Sequence, residues 1–150
     1  MLSITPYIDV GDAETYFQTR LDTDPWDNAD NAKRTIALSQ STRAIEQLDF
    51  YGVKTSSTQE LAFPRNGETT IPDDIKIACC ENALALLDGI DIESEIRSLV
   101  VTNSSFAGTR TAYDRSFVLE HLRAGIASGT AWRHLLPYLN DPYEMKLTRV

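Results

Sequence analysis

The chain has 150 residues, 42% hydrophobic and 24% charged, with 14 basic against 22 acidic side chains and a net charge of -8. That length suits one domain with an ordinary hydrophobic core, and the composition is too apolar for a disordered chain. The acidic balance argues against a protein that coats duplex phosphates with Lys and Arg.

No run approaches the roughly 18 apolar residues of a membrane span, and the N-terminus lacks a secretory signal's basic-then-apolar layout. The only cysteines, Cys79 and Cys80, are neighbours and make a poor start for a disulfide framework. The expectation is a soluble, intracellular single domain. Its charge is uneven: residues 1–30 sum to -6, 31–60 to +1, 61–96 to -6 and 97–150 to +3. Such polarity suits head-to-tail contact between copies, although scatter of surface charge explains it equally well.

In chain order, Asp9 reads as the N-cap of a helix to Leu21, with Asp12 three residues on. Val10, Ala13, Tyr16, Phe17 and Leu21 share its apolar face. Asp22–Pro25 breaks it. A longer helix is expected from Asn28 or Asp30 to Phe50, with Ile36, Ala37, Ser41, Ala44, Ile45 and Leu48 inward and Trp26 packed beneath its start. Residues 53–70 read as a loop with an Asn66-Gly67 turn, and the alternation around Leu61 and Phe63 allows a short edge strand.

The third helix, 73–88, is introduced by Pro72 and the acids Asp73 and Asp74, and stopped by Gly89. It is apolar almost all round, which marks the core element. Ser98–Thr102 reads as a strand that returns over Thr109–Tyr113, a hairpin within about 97–113. Further helices are expected over Phe117–Ala127 and Ser128–Leu139, and residues 140–150 form a tail of alternating apolar residues. The fold class is therefore mainly α: three to four helices with a β-hairpin insertion and an extended C-terminal tail. The single domain divides into a helical core of about 5–90, the hairpin of about 97–113, and a C-terminal helix and tail over 116–150.

Catalytic and metal chemistry finds little support. His121 and His134 are thirteen residues apart and form no zinc pattern with the cysteines. Adjacent cysteines on a helix point about 100° apart, so they read as small core hydrophobes. Asp22, Asp24, Asp27 and Asp30 lack the Gly and Glu of a calcium loop. No phosphate loop, nucleophile elbow or zinc-protease motif is present. The expectation is no enzyme, no cofactor and no metal; a hydrolase would need His121 or His134 brought to a cysteine or an acid. Arg97, Arg110, Arg115 and Arg123, interleaved with Phe106, Tyr113 and Phe117, hold the ingredients of a single-strand-binding surface.

One ordered set of motifs goes further: Tyr7-Ile8-Asp9-Val10-Gly11-Asp12-Ala13, then Tyr16-Phe17 and Arg20, Trp26, Thr42-Arg43-Ala44-Ile45, Leu61-Ala62-Phe63-Pro64-Arg65, and Ile71-Pro72-Asp73-Asp74-Ile75-Lys76 with Ala78-Cys79, Glu81 and Ala83. Across residues 5–90 this resembles the tailed-bacteriophage head–tail connector (adaptor) proteins, including the group of DnaT-like single-stranded-DNA-binding proteins. Phe63 stands where that pattern has Trp, and residues 114–134 have no counterpart.

The resemblance implies a structural virion protein in the neck between head and tail, assembled in the host cytoplasm. It would form a ring, commonly twelvefold, that joins portal to tail around the DNA channel. Its partners would be other copies, the portal, a tail or tail-completion protein, and DNA passing without sequence-specific contact; no membrane is involved. The subunit interface is expected at Arg97, Leu99, Val101, Phe106, Arg110, Tyr113 and Arg115, because an exposed strand can be completed by a neighbour. The portal-docking tail is expected at Tyr143, Met145, Leu147 and Val150. The alternative is a single-stranded-DNA-binding replication accessory protein that uses residues 97–123.

Overall fold

A computed structural model describes residues 3–100, 103–106, 109–112 and 119–140. Its described residues form seven α-helices, α1 (Val10–Phe17), α2 (Asp24–Asp27), α3 (Asn31–Glu46), α4 (Asp73–Leu87), α5 (Ile92–Val100), α6 (Glu120–Arg123) and α7 (Gly129–Leu135), with one two-stranded ribbon, β1 (Asn103–Phe106) and β2 (Thr109–Ala112). The fold is mainly helical. The central helix α4 is packed between α3 and α7 and is also met by α1 and α2.

The helix starts follow from capping chemistry. The carboxylates of Asp9, Asp30 and the hydroxyl of Ser128 accept from the backbone N–H three residues on (Asp12, Lys33 and Ala131), which satisfies amides with no intrahelical partner. Pro25, read as a breaker, instead occupies the first turn of α2, where a missing N–H costs nothing. That short helix seats Trp26 in the core, with Phe17 4.6 Å away and the Arg34 guanidinium 5.1 Å over its ring. The Arg34 Nε also donates to the Trp26 carbonyl at 3.0 Å, so one side chain fixes both ends of the residue.

Several expected core positions differ. Leu21 is 85% exposed, because α1 ends at Phe17 and leaves it on the turn. Ile36 is 62% exposed: nine residues from the buried Ile45, it lies on the opposite side of α3. Leu38, absent from the sequence-read face, is fully buried beside Ser41 and Thr42. Leu136 is exposed because Pro137 ends α7 and starts a 3-10 turn over Leu136–Tyr138. The third helix is not apolar throughout, since Glu81 and Asn82 are both buried on α4.

The segment around Leu61–Phe63 forms no strand and is held instead by Arg65. That guanidinium donates to the carbonyls of Phe50, Tyr51, Gly52 and Ala62, drawing the loop onto the end of α3. Asn66 and Gly67 both take positive φ, the backbone of a primed turn, and the Asn66 Oδ1 accepts from Val53 N at 3.1 Å. A Cβ on Gly52 would fall 1.8 Å from that oxygen, so only glycine fits there.

The strand read over Ser98–Thr102 is overturned for its described part: residues 98–100 complete α5. Ile92, Ile96 and Leu99 recur along one half-buried face of α5. The Asp91 carboxylate accepts from Glu93 N at its start, and a helical period with a cap outweighs a short β-branched run. Antiparallel pairing runs from Asn103↔Ala112 to Phe106↔Thr109, so the first strand is displaced to 103–106 and only the return over 109–112 falls where it was expected. The small hairpin expected within about 97–113, with its first strand over Ser98–Thr102, is therefore not supported as read. The expected Phe117–Ala127 helix contains α6 alone among the described residues. Residues 101–102, 113–118 and the tail 141–150 lie outside the described residues.

Candidate functional site

The expected interface residues do not collect on one strand. Arg97 is exposed on α5 and pairs at 3.4 Å with Glu93 one turn earlier. Leu99 belongs to the half-buried face of the same helix, which packs toward α6. Phe106 ends β1 opposite Thr109, and Arg110 stands opposite Ser105 on β2. Val101, Tyr113, Arg115, Tyr143, Met145, Leu147 and Val150 lie outside the described residues. Arg123 on α6 and Arg133 on α7 are both exposed.

Three buried or half-buried carboxylates organise the remaining polar chemistry. Glu81, on the inner face of α4, accepts at 2.6 Å from both the Tyr16 hydroxyl and the Arg20 Nε. A cavity of about 320 Å³ lies beside this pair, lined also by Asp22, Asp88, Ser128 and Thr130. Glu46, at the end of α3, accepts from the Tyr7 hydroxyl and from Ala62 N at 3.0 Å. Asp74, in the first turn of α4, meets His134 Nδ1 at 2.9 Å and the Tyr138 hydroxyl at 3.3 Å. Sequence reasoning missed all three, because the side chains that meet each carboxylate come from 39 to 65 positions away and leave no local period.

These contacts brace helices. Burial pushes the Tyr7 and Tyr16 hydroxyls well above the ordinary tyrosine range, and the carboxylate each one meets pushes further. Burial likewise raises both thiols, so Cys79 and Cys80 stay protonated and unreactive. His134 does reach an acid, Asp74, and among the described residues no Ser, Thr or Cys side chain bonds to that imidazole. Burial lowers the His121 pKa. No group of three His, Cys, Asp or Glu could hold a metal ion among the described residues, and no helix there is long and apolar enough to cross a membrane.

The comparisons with known proteins add one finding. No curated protein and no solved structure matches the chain significantly. A family model described as "Putative DnaT-like ssDNA binding protein" matches residues 4–149, and it lends no support to the connector part of the resemblance. A match over nearly the whole sequence assigns the family: the chain belongs to the DnaT-like ssDNA-binding protein family.

Proposed function

We propose that this chain binds single-stranded DNA through its C-terminal basic segment and performs no catalysis. The family match over residues 4–149 carries the reading. Charge supports it: residues 1–96 sum to -11, whereas residues 97–150 sum to +3. Phosphates are repelled by the helical core and drawn toward Arg97, Arg110, Arg115 and Arg123, while Phe106, Tyr113 and Phe117 offer rings on which bases stack. Fluorescence anisotropy with a labelled oligonucleotide tests this. Binding should weaken with salt, and replacing Arg110 and Arg115 by Ala should flatten the log–log slope by about 0.7 for each phosphate that is no longer neutralised. No binding at low salt would dismiss the reading.

A second reading, the head-to-tail adaptor ring between portal and tail, is favoured by one observation. Each strand of the ribbon has a single partner among the described residues, which leaves an outer backbone edge for a neighbouring copy to complete. The acidic core would then suit a channel lining along which DNA slides. Negative-stain images of closed rings, with or without the portal, are expected under this reading; a strictly monomeric species with portal present would count against it.

A further inference from the structure

Two surfaces of the helical core are opposite in shape and in charge. The first is a groove of about 360 Å³ between α1 and α4, floored by Ile8, Tyr16 and Ile77. Asp12 and Asp73, in the first turns of the two helices, rim it together with Lys76, so two carboxylates against one ammonium leave a net negative rim. None of these three side chains has a hydrogen-bond or ion-pair partner among the described residues.

The second surface is the outer face of α3. Lys33, Ile36, Gln40 and Arg43 step by threes and fours, so they form one stripe, and all four are exposed. Ile36 stands within it at 62% exposure, an aliphatic knob between two cations. The stripe holds no carboxylate: the only acid of α3, Glu46, is turned to the Tyr7 hydroxyl and Ala62 N. The other side of α3, with Leu38, Ser41 and Ile45, is buried, and the Ser41 hydroxyl bonds across the seam to α4. The stripe therefore points away from α4, and no α3 residue lines the groove. A rigid helix placed so cannot fill the groove of its own chain.

We propose that the α3 stripe of one copy seats in the α1–α4 groove of a second copy, with Ile36 against Ile8 and Ile77 and with Lys33 facing Asp12 and Asp73. Charge selects this pairing. Two copies of a chain carrying -8 repel one another as wholes, so attraction between them has to be local. Stripe on stripe sets cations together and groove on groove sets carboxylates together, whereas stripe on groove brings opposite signs around an apolar centre. Because each copy presents both halves on different sides, the contact is heterologous and repeats from copy to copy. One helix face is smaller than the roughly 800 Å² per partner of a standard interface, so each contact is weak and repetition supplies the strength. The contact needs neither DNA nor portal and stands apart from the DNA-binding reading.

The test mixes two full-length variants, one with Gln40→Cys on the stripe and one with Thr15→Cys on the groove, without DNA. Both positions are exposed, and the native thiols are buried. Thr19→Cys serves as the second groove position should Thr15→Cys misfold. Under mild oxidation the mixed disulfide should form about tenfold faster than between Gln40→Cys and a Lys54→Cys control, because docked copies hold the two thiols at a high effective concentration. Adding Lys33→Glu to the stripe variant should slow it, and adding Asp12→Lys and Asp73→Lys to the groove variant should then restore it. Equal rates for groove and control would overturn the proposal. So would a faster disulfide between two Gln40→Cys chains, which would mean that α3 faces pair with each other instead.

Discussion

The seam between α3 and α4 and the run from α5 into the ribbon are built in opposite ways. In the seam, polar groups are buried and answered: the Ser41 hydroxyl donates to the Cys79 carbonyl at 2.8 Å, and Thr42 donates to the Leu38 carbonyl while accepting from Tyr7 N. Such groups are costly to leave unpaired, so they fix one arrangement of the N-terminal segment and both helices. In α5, by contrast, Ile92, Ile96 and Leu99 are half-buried and the ion pair Glu93–Arg97 is about 80% exposed at both ends. The ribbon pairs only with itself among the described residues. One region buries its polar groups and pairs them, and the other keeps the charges of α5 in water.

The comparison should break most visibly when the core loses volume. Trp26→Ala removes a fully buried ring packed on Phe17 and Arg34, and should cost about 3–5 kcal/mol, read as a lower urea midpoint at unchanged slope. Arg20→Ala comes next. It strands the buried Glu81 carboxylate with only the Tyr16 hydroxyl, and about 3 kcal/mol is expected, at the low end for a broken buried pair because Arg20 is 29% exposed. Arg20→Lys should recover only part, since an ammonium cannot repeat the Nε geometry.

Alkaline pH probes the same seam without deleting a core side chain. The unfolded chain's tyrosines ionise near 10.0, whereas burial and Glu46 hold Tyr7 protonated far beyond that in the folded state. The folded form therefore binds more protons above pH 10. Its stability is complete below that pH and declines as pH rises. Tyr7→Phe should flatten the decline measured by urea titration from pH 9 to 11, while lowering stability at every pH through the missing Glu46 bond.

How much of this was legible follows from how far each feature reaches along the chain. The start of α1 was readable because a cap and its amide are three residues apart, and Asp9 sits where the sequence puts it; α3 starts from Asp30, one of the two residues offered for it, and α7 follows Ser128, where that helix was expected to begin. Burial of the cysteines was readable from the apolar surroundings of α4. The inward side of α3 was less so, because Ile36 and Leu38 are both apolar and only packing against α4 chooses between them. The Arg65 clamp, the Glu81 pair and the Asp74–His134 contact join distant segments, and no periodicity announces them. The α5 segment resists reading because Leu99, Val100 and Val101 resemble a strand when taken alone, whereas the helical stripe begins seven residues earlier at Ile92.

The smallest expected effect sharpens the comparison most. Arg97 and Glu93 are one helical turn apart and largely in water, so their attraction is screened and should contribute about 0.3–0.5 kcal/mol. Arg97→Ala should therefore barely move the urea midpoint. If α5 is part of a phosphate-binding surface, the same change should weaken oligonucleotide binding at low salt and reduce its salt dependence by the equivalent of one neutralised phosphate. A variant that folds as well as the parent yet binds less DNA separates the two regions by function. A variant whose stability falls as far as that of Arg20→Ala would mean that Arg97 braces the fold, and that α5 belongs with the core after all.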